Sequence, residues 1–460
     1  MDPSPAPASS PIAKPKAGWR LTPVRILFAV LFAAMGLGGF LLPGVEVVRS
    51  IFDPALNGPG MPRMARRMHL SLAPRYAAWA TKRVSKGKVA NALDDVSGTE
   101  WPLYGSVFYL LAEEQIQAAW EKDHSLFRQE PRVFAREAIE AAARLVADPQ
   151  HATWVRKYWG DAYLEKENVF YRMLLISALA SHRNLTGSDE FASLLRQQAD
   201  GLAAALDASA SGLLDDYPGA CYPTDVLSAW GAIHRADAAL GMDHSQQIAR
   251  AVRAFTGPRA TSEGLPPYAA LARTGEPLGE ARGCSNSNAC MQALDLWPET
   301  GRAWYSAYER AFWQSDWLAS GFREYAIGSS QPAWSLDVDS GPVVRGNGFA
   351  ACSFGIAAAR MNGRFDHAYP LSLEAIALGW PLPFGRLLLP RMVSDATDAP
   401  LIGEAAILFH LTTAPSPAAL AFRYHTGTIP GVVFIWLFLY FGVAYLFFRR
   451  AWWTVRGSKT

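Results

Sequence analysis

The sequence has few cysteines and little net charge, and each absence excludes a class of protein. Four cysteines among 460 residues are too few for a disulfide-built scaffold and lack the short paired spacings of a zinc site. One bridge, between Cys284 and Cys290, is the most that we expect. A formal net charge of +2 provides no strongly basic face for nucleic acid. We therefore predict no metal, no cofactor and no nucleic-acid partner.

Apolar and aromatic residues, in contrast, are plentiful. Half of the residues are apolar and 12% are aromatic, with 16 tryptophans, which is enough for a folded core. The length suits one large domain with accessory segments. The opening stretch, 2–18, consists largely of Pro, Ala and Ser and has little to bury. We predict a flexible cytoplasmic tail over 1–25.

Two apolar runs, one near each end of the chain, are long enough to cross a membrane. Ile26–Val45 and Ile429–Phe448 each contain 20 residues without a charge, about the length that spans a bilayer as a helix. No small-x-small cleavage site follows the first run, which favours a retained anchor over a signal peptide. We predict transmembrane helices at 26–48 and 429–448.

The basic residues around the second run predict the orientation. The nearest lysine or arginine upstream is Arg423, whereas four follow the run closely, namely Arg449, Arg450, Arg456 and Lys459. Because positive charge stays on the cytoplasmic side, the tail 449–460 is predicted to be cytoplasmic, and two spans return the N-terminus to that side. The body is then predicted on the periplasmic or exterior face of the inner cell membrane.

The segment after the first span, 49–100, is strongly basic. Eight lysines and arginines between Arg63 and Lys88 have no acid among them. A helix lying on anionic lipid headgroups and an ordinary solvated helix face both account for such a run. We predict a basic helical linker here, with the lipid bilayer as its partner in the first case.

From Trp101 to His410, apolar residues recur every three or four positions and strand-like alternation is scarce. The predicted helices are Tyr104–Trp120, Pro131–Ala147, Lys166–Arg183, Ser188–Leu206, Pro223–Ala239, Ser245–Phe255, Ser287–Trp297, Ala303–Trp317, Gly348–Met361, Ala368–Leu378 and Leu401–His410. About a dozen helices joined by short links predict an all-α (α/α)6 toroid over 101–415, with an irregular bundle as the alternative. The long loops 256–283 and 327–348 would gather at one rim and form the substrate cleft.

The first candidate site is the loop that leads into the helix at Pro223. Proline suits the first helical turn, which places Asp225 in that turn, where the helix dipole favours a carboxylate. If Asp225 instead faces a cavity beside Tyr222, desolvation raises its pKa towards that of a useful acid or base. Both roles stay open. The neighbouring Cys221 is typical of a buried packing residue.

A second candidate site surrounds the predicted start of another helix. Glu167 and Tyr171 are four residues apart, so on a helix they would share one face. Their carboxylate and phenol would then contact the same substrate group, with Asn168 between them. Acids in a first helical turn are also ordinary capping residues. The capping interpretation therefore competes with substrate binding.

A third candidate site consists of Glu324 and the long loop that follows it, with Glu324 and Trp334 as candidate substrate-binding residues. Asp337 and Asp339 are two positions apart, close to Trp334 and ahead of a Gly-Pro turn. Two carboxylates suit acid/base chemistry on a hydroxylated substrate, whereas acids in loops also cap helices. We favour a functional role for this loop.

The polar run from Arg282 to Asn288 is a weaker candidate. It opens a predicted helix, and Asn286 would supply uncharged donors to a bound ligand. Serine and asparagine are also standard helix N-caps.

Part of the sequence resembles the linalool dehydratase/isomerase family. The resemblance covers about Trp154 to Gly241, and its residues in order are Trp159-Gly160-Asp161, Glu165-Lys166-Glu167-Asn168, Tyr171, Thr186-Gly187-Ser188, Cys221, Pro223 and Asp225. It implies an (α/α)6 barrel with Cys221 at the pocket, and a site that removes and adds water at an allylic alcohol by acid/base catalysis.

The sequence also departs from the family pattern at residues that carry the chemistry. Trp230 stands where the family has a second cysteine, and Leu174 stands where it has a histidine. Asp225 aligns only with a one-residue shift, and a family tyrosine falls near Asn286. The resemblance therefore implies the scaffold and the pocket position of Cys221, but not the dehydratase mechanism.

These features predict a membrane-anchored lyase or isomerase that acts by acid/base chemistry on a small hydroxylated molecule. The expected cleft contains Tyr222, Asp225, Trp334, Asp337 and Asp339, with Glu167 and Tyr171 orienting the substrate. A carbohydrate-active enzyme on the same toroid, acting on an envelope or secreted polysaccharide, is one alternative, because two carboxylates commonly cleave glycosidic bonds. A non-catalytic envelope component is the other.

Overall fold

The computed structural model describes residues 23–86, 95–337 and 340–456, most of which are helical. The main helices are α1 (Pro23–Ile51), α2 (Arg63–Lys86), α3 (Val96–Lys122), α4 (Arg136–Ala147), α5 (Val169–Thr186), α6 (Ala192–Ala208), α7 (Pro223–Leu240), α8 (Ser245–Ala251), α9 (Gly283–Leu296), α10 (Pro298–Phe312), α11 (Phe349–Met361), α12 (Phe365–Leu378), α13 (Ile402–Thr412) and α14 (Gly431–Arg456). Shorter helices lie at Pro131–Phe134, Thr153–Trp159 and Leu388–Val393.

Short antiparallel strands occupy the loops between helices. The first pair is β1 (Trp313–Ser315) and β2 (Ser320–Phe322), followed by a three-stranded sheet of β3 (Trp334–Asp337), β4 (Gly341–Val344) and β5 (Asn347–Gly348), and by the pair β6 (Pro381–Leu382) and β7 (Arg386–Leu387). In the three-stranded sheet Trp334 pairs with Val344 and Asp337 with Gly341.

Six helices form a closed inner ring. In chain order α3, α5, α7, α9, α11 and α13 each pack on the next, and α13 packs back on α3. The helices α2, α4, α6, α8, α10 and α12 surround this ring from outside. The all-α class and the (α/α)6 toroid are confirmed, since an irregular bundle would not close in sequence order.

Several helix ends differ from the predicted positions for local reasons. Helix α10 ends at Phe312 because the next residues pair as β1 with β2. Helix α5 begins only at Val169, since Asn168 has a left-handed backbone with φ of 39°. Helix α9 begins four residues earlier than predicted, at Gly283, where the backbone N–H donates to Glu324 O at 2.7 Å. Periodicity therefore located the helices better than their ends.

The basic segment is part of the toroid. Helix α2 is the first outer helix and packs on α4 and α13. Its arginines meet acids that are remote in sequence: Arg75 Nη1 lies 2.6 Å from Glu404 Oε2, and Arg83 Nη1 lies 2.8 Å from Asp398 Oδ1. Helix α2 therefore packs on the ring as its first outer helix, and the linker over 49–100 and the domain start at residue 101 stay predictions.

Helices α1 and α14 are long and apolar enough to cross a membrane. They contain 29 and 26 residues, and only 17% of the most apolar window of each is buried, which distinguishes them from core helices of a soluble protein. Trp380 Nε1 donates to Gly39 O and Tyr440 Oη donates to Ala377 O, both at 2.8 Å. These bonds tie the helix pair to the α12 side of the toroid. The side of the membrane and the membrane type remain predictions.

Helices α1 and α14 pack antiparallel through glycine. A Cβ on Gly36 would lie 2.9 Å from Phe447 Cβ, and one on Gly44 would lie 3.1 Å from the Tyr440 and Phe441 side chains. Nothing lies within 4 Å of a Cβ on Gly38. Small residues at such positions allow close backbone approach between membrane helices.

We expect Gly36→Leu to weaken the pairing of α1 with α14, since the new side chain has no room beside Phe447. The expected loss of unfolding free energy is about 1 to 3 kcal/mol, the usual cost of overpacking. Thermal unfolding of the full chain in detergent measures it. Gly38→Leu is the matched control, because it introduces the same side chain into open space in the same helix. Equal effects of the two substitutions would contradict this packing.

Candidate functional site

The amino-terminal ends of the inner helices meet at one end of the ring, which we call the mouth. Each inner helix follows an outer helix or a returning loop, so the chain enters the ring from the same side each time. Tyr104 of α3 has its pKa raised, mainly by burial and further by Asp225 of α7 and by Cys284 of α9. Helices α3 and α9 lie on opposite sides of the ring. Tyr104 therefore lies within electrostatic range of both α7 and α9.

Asp225 carries the carboxylate whose charge acts on neighbouring groups at the mouth. It lies in the first turn of α7 and is half-buried. Burial raises the pKa of Asp216 well above its ordinary value, and the charge of Asp225 raises it further. Two carboxyls that interact so strongly do not readily ionise together. The buried Asp216 is therefore favoured in its protonated form beside Asp225.

Asp216 is held rigidly behind Asp225. Its side chain is fully buried, and its Oδ2 accepts a hydrogen bond from the Tyr222 backbone N–H at 2.7 Å. The next residue, Tyr217, donates its hydroxyl to Glu100 of α3. Burial, followed by the charge of Glu100, raises the pKa of Tyr217, so this phenol stays protonated. The mouth thus combines three carboxyls and two tyrosines.

An aromatic chain continues from the mouth into the ring. The Tyr104 ring centroid lies 4.4 Å from that of Phe108 and 6.1 Å from that of Phe170. Phe108 in turn lies 5.8 Å from Phe354 of α11. Helix α13 separates α3 from α11 around the ring, so this contact is made inside the ring. The interior next to the carboxyls is apolar and aromatic.

The deeper end of this chain carries a buried polar pair. Ser353 Oγ lies 2.9 Å from His410 Nδ1, and the His410 ring lies 5.0 Å from that of Phe354. Burial lowers the pKa of His410 to about 3. The imidazole is therefore neutral at physiological pH and adds no charge to the interior.

The other half of the mouth is organised by Arg282, just before α9. Its Nε lies 2.7 Å from Glu324 Oε1, and its Nη2 lies 3.1 Å from Asp337 Oδ1. The guanidinium also lies 4.4 Å from the ring centroid of Tyr268, which packs edge-on against Tyr222 at 5.4 Å. Arg282 therefore connects the strand β3 to the residues around Asp225.

Glu324 is fully buried beside Arg282. It also accepts a hydrogen bond from the Cys284 backbone N–H at 3.3 Å and one from the Cys284 thiol at 3.1 Å. Burial raises the pKa of Glu324, and Arg282 opposes this rise. The carboxylate thus fixes the start of α9 rather than facing the mouth.

The second predicted cluster has structural roles in the fold. Glu167 is exposed and precedes α5, so it does not share a helix face with Tyr171, and that interpretation is wrong. Glu167 Oε2 accepts a hydrogen bond from the Asp215 N–H at 2.7 Å. The buried Tyr171 hydroxyl donates to Val146 O at 3.2 Å. Asn168 Nδ2 donates to the Tyr163 carbonyl at 3.1 Å.

The remaining predicted residues are divided between core and surface. Asn286 is fully buried and its Nδ2 donates to the carbonyls of Pro266 and Arg282. Cys221 is 2% exposed, and burial, aided by Asp216, raises the pKa of its thiol. Trp334 is 67% exposed on β3. Asp339 lies outside the described residues.

The cysteines do not form the bridge that the sequence suggested. All four are free thiols, so the one bridge that the sequence left open, between Cys284 and Cys290, does not form. Trp230 and Leu174, at the positions of the family's second cysteine and histidine, are both buried in the core. The chemistry of the mouth therefore depends on carboxyls and phenols.

Sequence reasoning missed Glu100, Tyr104, Asp216 and Tyr217. Glu100 and Tyr104 are four residues apart at the start of α3, which indicates a shared helix face. Asp216 and Tyr217 were visible in the loop before Pro223, but nothing local indicated which acid would be buried. Only the closed ring brings α3 to this loop.

Comparisons with family models and with curated proteins find no matching family and no matching protein. Across the described residues, no group of three or more histidine, cysteine, aspartate or glutamate side chains is placed to hold a metal ion.

Proposed function

We propose that this chain is a membrane-anchored lyase or isomerase that uses acid/base chemistry on a small, largely apolar molecule bearing a hydroxyl group. The observation that carries the proposal is the half-buried Asp225 beside the buried Asp216 at an aromatic mouth, where the Tyr222 backbone donates to Asp216 Oδ2 at 2.7 Å and accepts from the Asp225 N–H at 2.9 Å. The resemblance to linalool dehydratase/isomerases supports the same class of substrate.

In the proposed reaction, two carboxyls act in turn. Asp225 passes the proton held by Asp216 to the substrate hydroxyl, the carbon–oxygen bond breaks, and water leaves. Glu100 takes a proton from the neighbouring carbon, whose C–H electron pair forms the new double bond. Proton exchange with solvent restores both groups, and the reverse sequence adds water. Such acid/base participation contributes about 100- to 10,000-fold to a rate.

The other groups at the mouth position this pair. The buried Asp216 is favoured in its protonated form and holds a proton beside Asp225, and the Tyr217 hydroxyl orients Glu100. Tyr104 supplies a protonated phenol that donates to the substrate oxygen. Glu167 and Tyr171 make hydrogen bonds to backbone groups elsewhere in the fold. We therefore assign the orienting role to Tyr104 and Tyr217.

The aromatic chain favours a terpenoid-like alcohol over a sugar. Phe108, Phe170 and Phe354 offer apolar surface beside the carboxyls, whereas a polysaccharide needs many polar contacts along an open groove. Within the third predicted cluster, Asp337 is ion-paired with Arg282, which favours a structural over a proton-transfer role.

A carbohydrate-active enzyme is the second candidate, because of Trp334. Its side chain is 67% exposed on β3, close in sequence to Asp337, and exposed tryptophans provide stacking surfaces for sugar rings. In that case the acids of this loop, rather than Asp225, would carry the reaction.

A substrate screen with the purified full chain in detergent separates these functions. Allylic terpenoid alcohols and soluble envelope or secreted oligosaccharides are incubated separately, and products are followed by gas chromatography and by reducing-sugar release. The proposal predicts alkene or rearranged alcohol from the first set only. Cleavage of oligosaccharides alone would support the second candidate, and no turnover of either set would favour a non-catalytic envelope component.

A further inference from the structure

Four arginines surround a groove where α1 meets the toroid, away from the mouth. Arg49 lies in the last turn of α1, and Arg63, Arg66 and Arg67 lie at the start of α2. The groove has a volume of about 380 Å³ and is completed by the apolar side chains of Leu70, Leu126 and Phe127. We call it the arginine groove.

The acids around the arginine groove do not balance its positive charge. Glu46 of α1 accepts hydrogen bonds from Arg49 at 3.1 Å and from Arg63 at 2.6 Å, and it also pairs with Arg67. The single buried carboxylate of Glu46 thus forms ion pairs with three guanidinium groups. The ion pairs also fix α1 to α2, so the arginines are held in place.

Arg66 is the arginine that Glu46 does not contact. Its Nε is shielded from solvent and has no hydrogen-bond partner among the described residues. Asp123 is close enough for Arg66 to make a small contribution to its lowered pKa, which is due mainly to hydrogen bonds from Ser125. Four guanidinium groups thus meet Glu46 and Asp123, and a third carboxylate, Asp53, accepts a hydrogen bond from the Arg63 backbone N–H at 2.6 Å, which leaves an excess of one positive charge.

Exposed apolar side chains surround the arginine groove at the end of the membrane helix. Phe52 directly follows α1 and is 77% exposed, and Leu70 in the groove is 50% exposed. Phe384, at the tip of the β6–β7 hairpin, is 80% exposed. This tip lies beside the groove, because a Cβ on the adjacent Gly385 would clash with the Arg67 carbonyl group.

Cationic and exposed apolar groups together at the end of a membrane helix match the two parts of a lipid at the bilayer surface. Arginine binds phosphate oxygens with a fork of donors, and basic pockets beside membrane helices bind anionic headgroups. Phe384, whose hairpin lies beside the groove, would contact the acyl chains below the headgroup.

We propose that the arginine groove binds the phosphate headgroup of an anionic phospholipid from the leaflet at which α1 ends. Arg66 and Arg49 contact the phosphate, while Arg63 and Arg67 stay with Glu46. The bound lipid fixes the toroid against the membrane surface. This site is separate from the mouth, so it does not depend on the proposed catalytic function.

The test measures lipid binding to the full chain in neutral detergent. Phosphatidylglycerol, phosphatidylcholine or inorganic phosphate is titrated, and binding is followed by native mass spectrometry and by the shift in melting temperature. We expect phosphatidylglycerol to bind and stabilise and phosphatidylcholine not to. Arg66→Gln should weaken phosphatidylglycerol binding about fivefold, the effect of one basic group near an anionic surface.

Two further variants make the outcome decisive. Arg253→Gln removes an exposed arginine next to α8, on the opposite side of the ring from α2, and should leave binding unchanged. Arg49→Gln, whose side chain is 58% exposed, should weaken binding without affecting folding. Equal binding of phosphatidylcholine, or unchanged binding in both groove variants, would overturn the proposal. A melting shift with millimolar inorganic phosphate as large as that with lipid would overturn the lipid as the ligand.

Discussion

Replacing Asp225 by Asn should lower turnover of the allylic alcohol by about 100-fold or more, the contribution of a positioned acid or base. The amide keeps the shape of the side chain but cannot donate and regain a proton at the substrate oxygen. The fold should tolerate the change, since Asp225 lies in the first turn of α7 and is only half-buried. Turnover of the full chain is measured with the alcohol that the substrate screen identifies.

Asp337→Asn is the matched control for this substitution. Asp337 lies at the same mouth and undergoes the same chemical change, but it belongs to the ion pair with Arg282. It should retain most of the turnover. The reverse pattern, with Asp337→Asn inactive and Asp225→Asn active, would contradict the assignment and favour the β3 loop as the catalytic element.

Replacing Arg282 by Met should destabilise the toroid by about 3 to 5 kcal/mol, because it leaves the fully buried Glu324 without its cation. The loss should depend on pH. Burial already raises the pKa of Glu324, and without Arg282 that pKa rises further. Stability that is present below the ordinary carboxyl pKa of about 4.3 is then lost as the pH rises through the higher folded-state value.

Chemical unfolding of the full chain, followed by tryptophan fluorescence at several pH values, measures this loss. The double variant Arg282→Met with Glu324→Gln should recover much of the stability and lose the pH dependence. Arg345→Met is the control, since its ion pair with Asp316 is exposed on both sides and should cost no more than about 1 kcal/mol. A pH-independent loss in Arg282→Met would show that Glu324 is not its cause.

The toroid could be predicted because its helices carry their pattern locally. Periodic apolar residues identify α3 to α13, and a dozen helices in alternating order suggest the ring. Helix α2 could not be assigned in this way. Its arginines look unbalanced in sequence, and only the closed ring brings Glu404 and Asp398 to Arg75 and Arg83.

The candidate site was predicted in part. Asp225 at the start of α7 and Asp337 on β3 do lie at the same mouth, connected through Arg282. Glu167 and Tyr171 were grouped because a helix was predicted to begin before them. The left-handed backbone of Asn168 prevents the helix from starting before Val169, so Glu167 is not part of it. Glu100 and Tyr104 belong to the mouth only because α3 lies across the ring from α9, a relation that no local pattern contains.

Deuterium incorporation from D2O tests the acid/base account most directly. The full chain and its Asp225→Asn variant are incubated with an allylic alcohol in D2O, and the products are examined by NMR. The account predicts dehydration or rearrangement by the unmodified chain, with deuterium at carbon in the recovered or rehydrated molecules, and almost none with the variant. Equal incorporation by both proteins, or none by the unmodified chain while a glycan is cleaved, would contradict it.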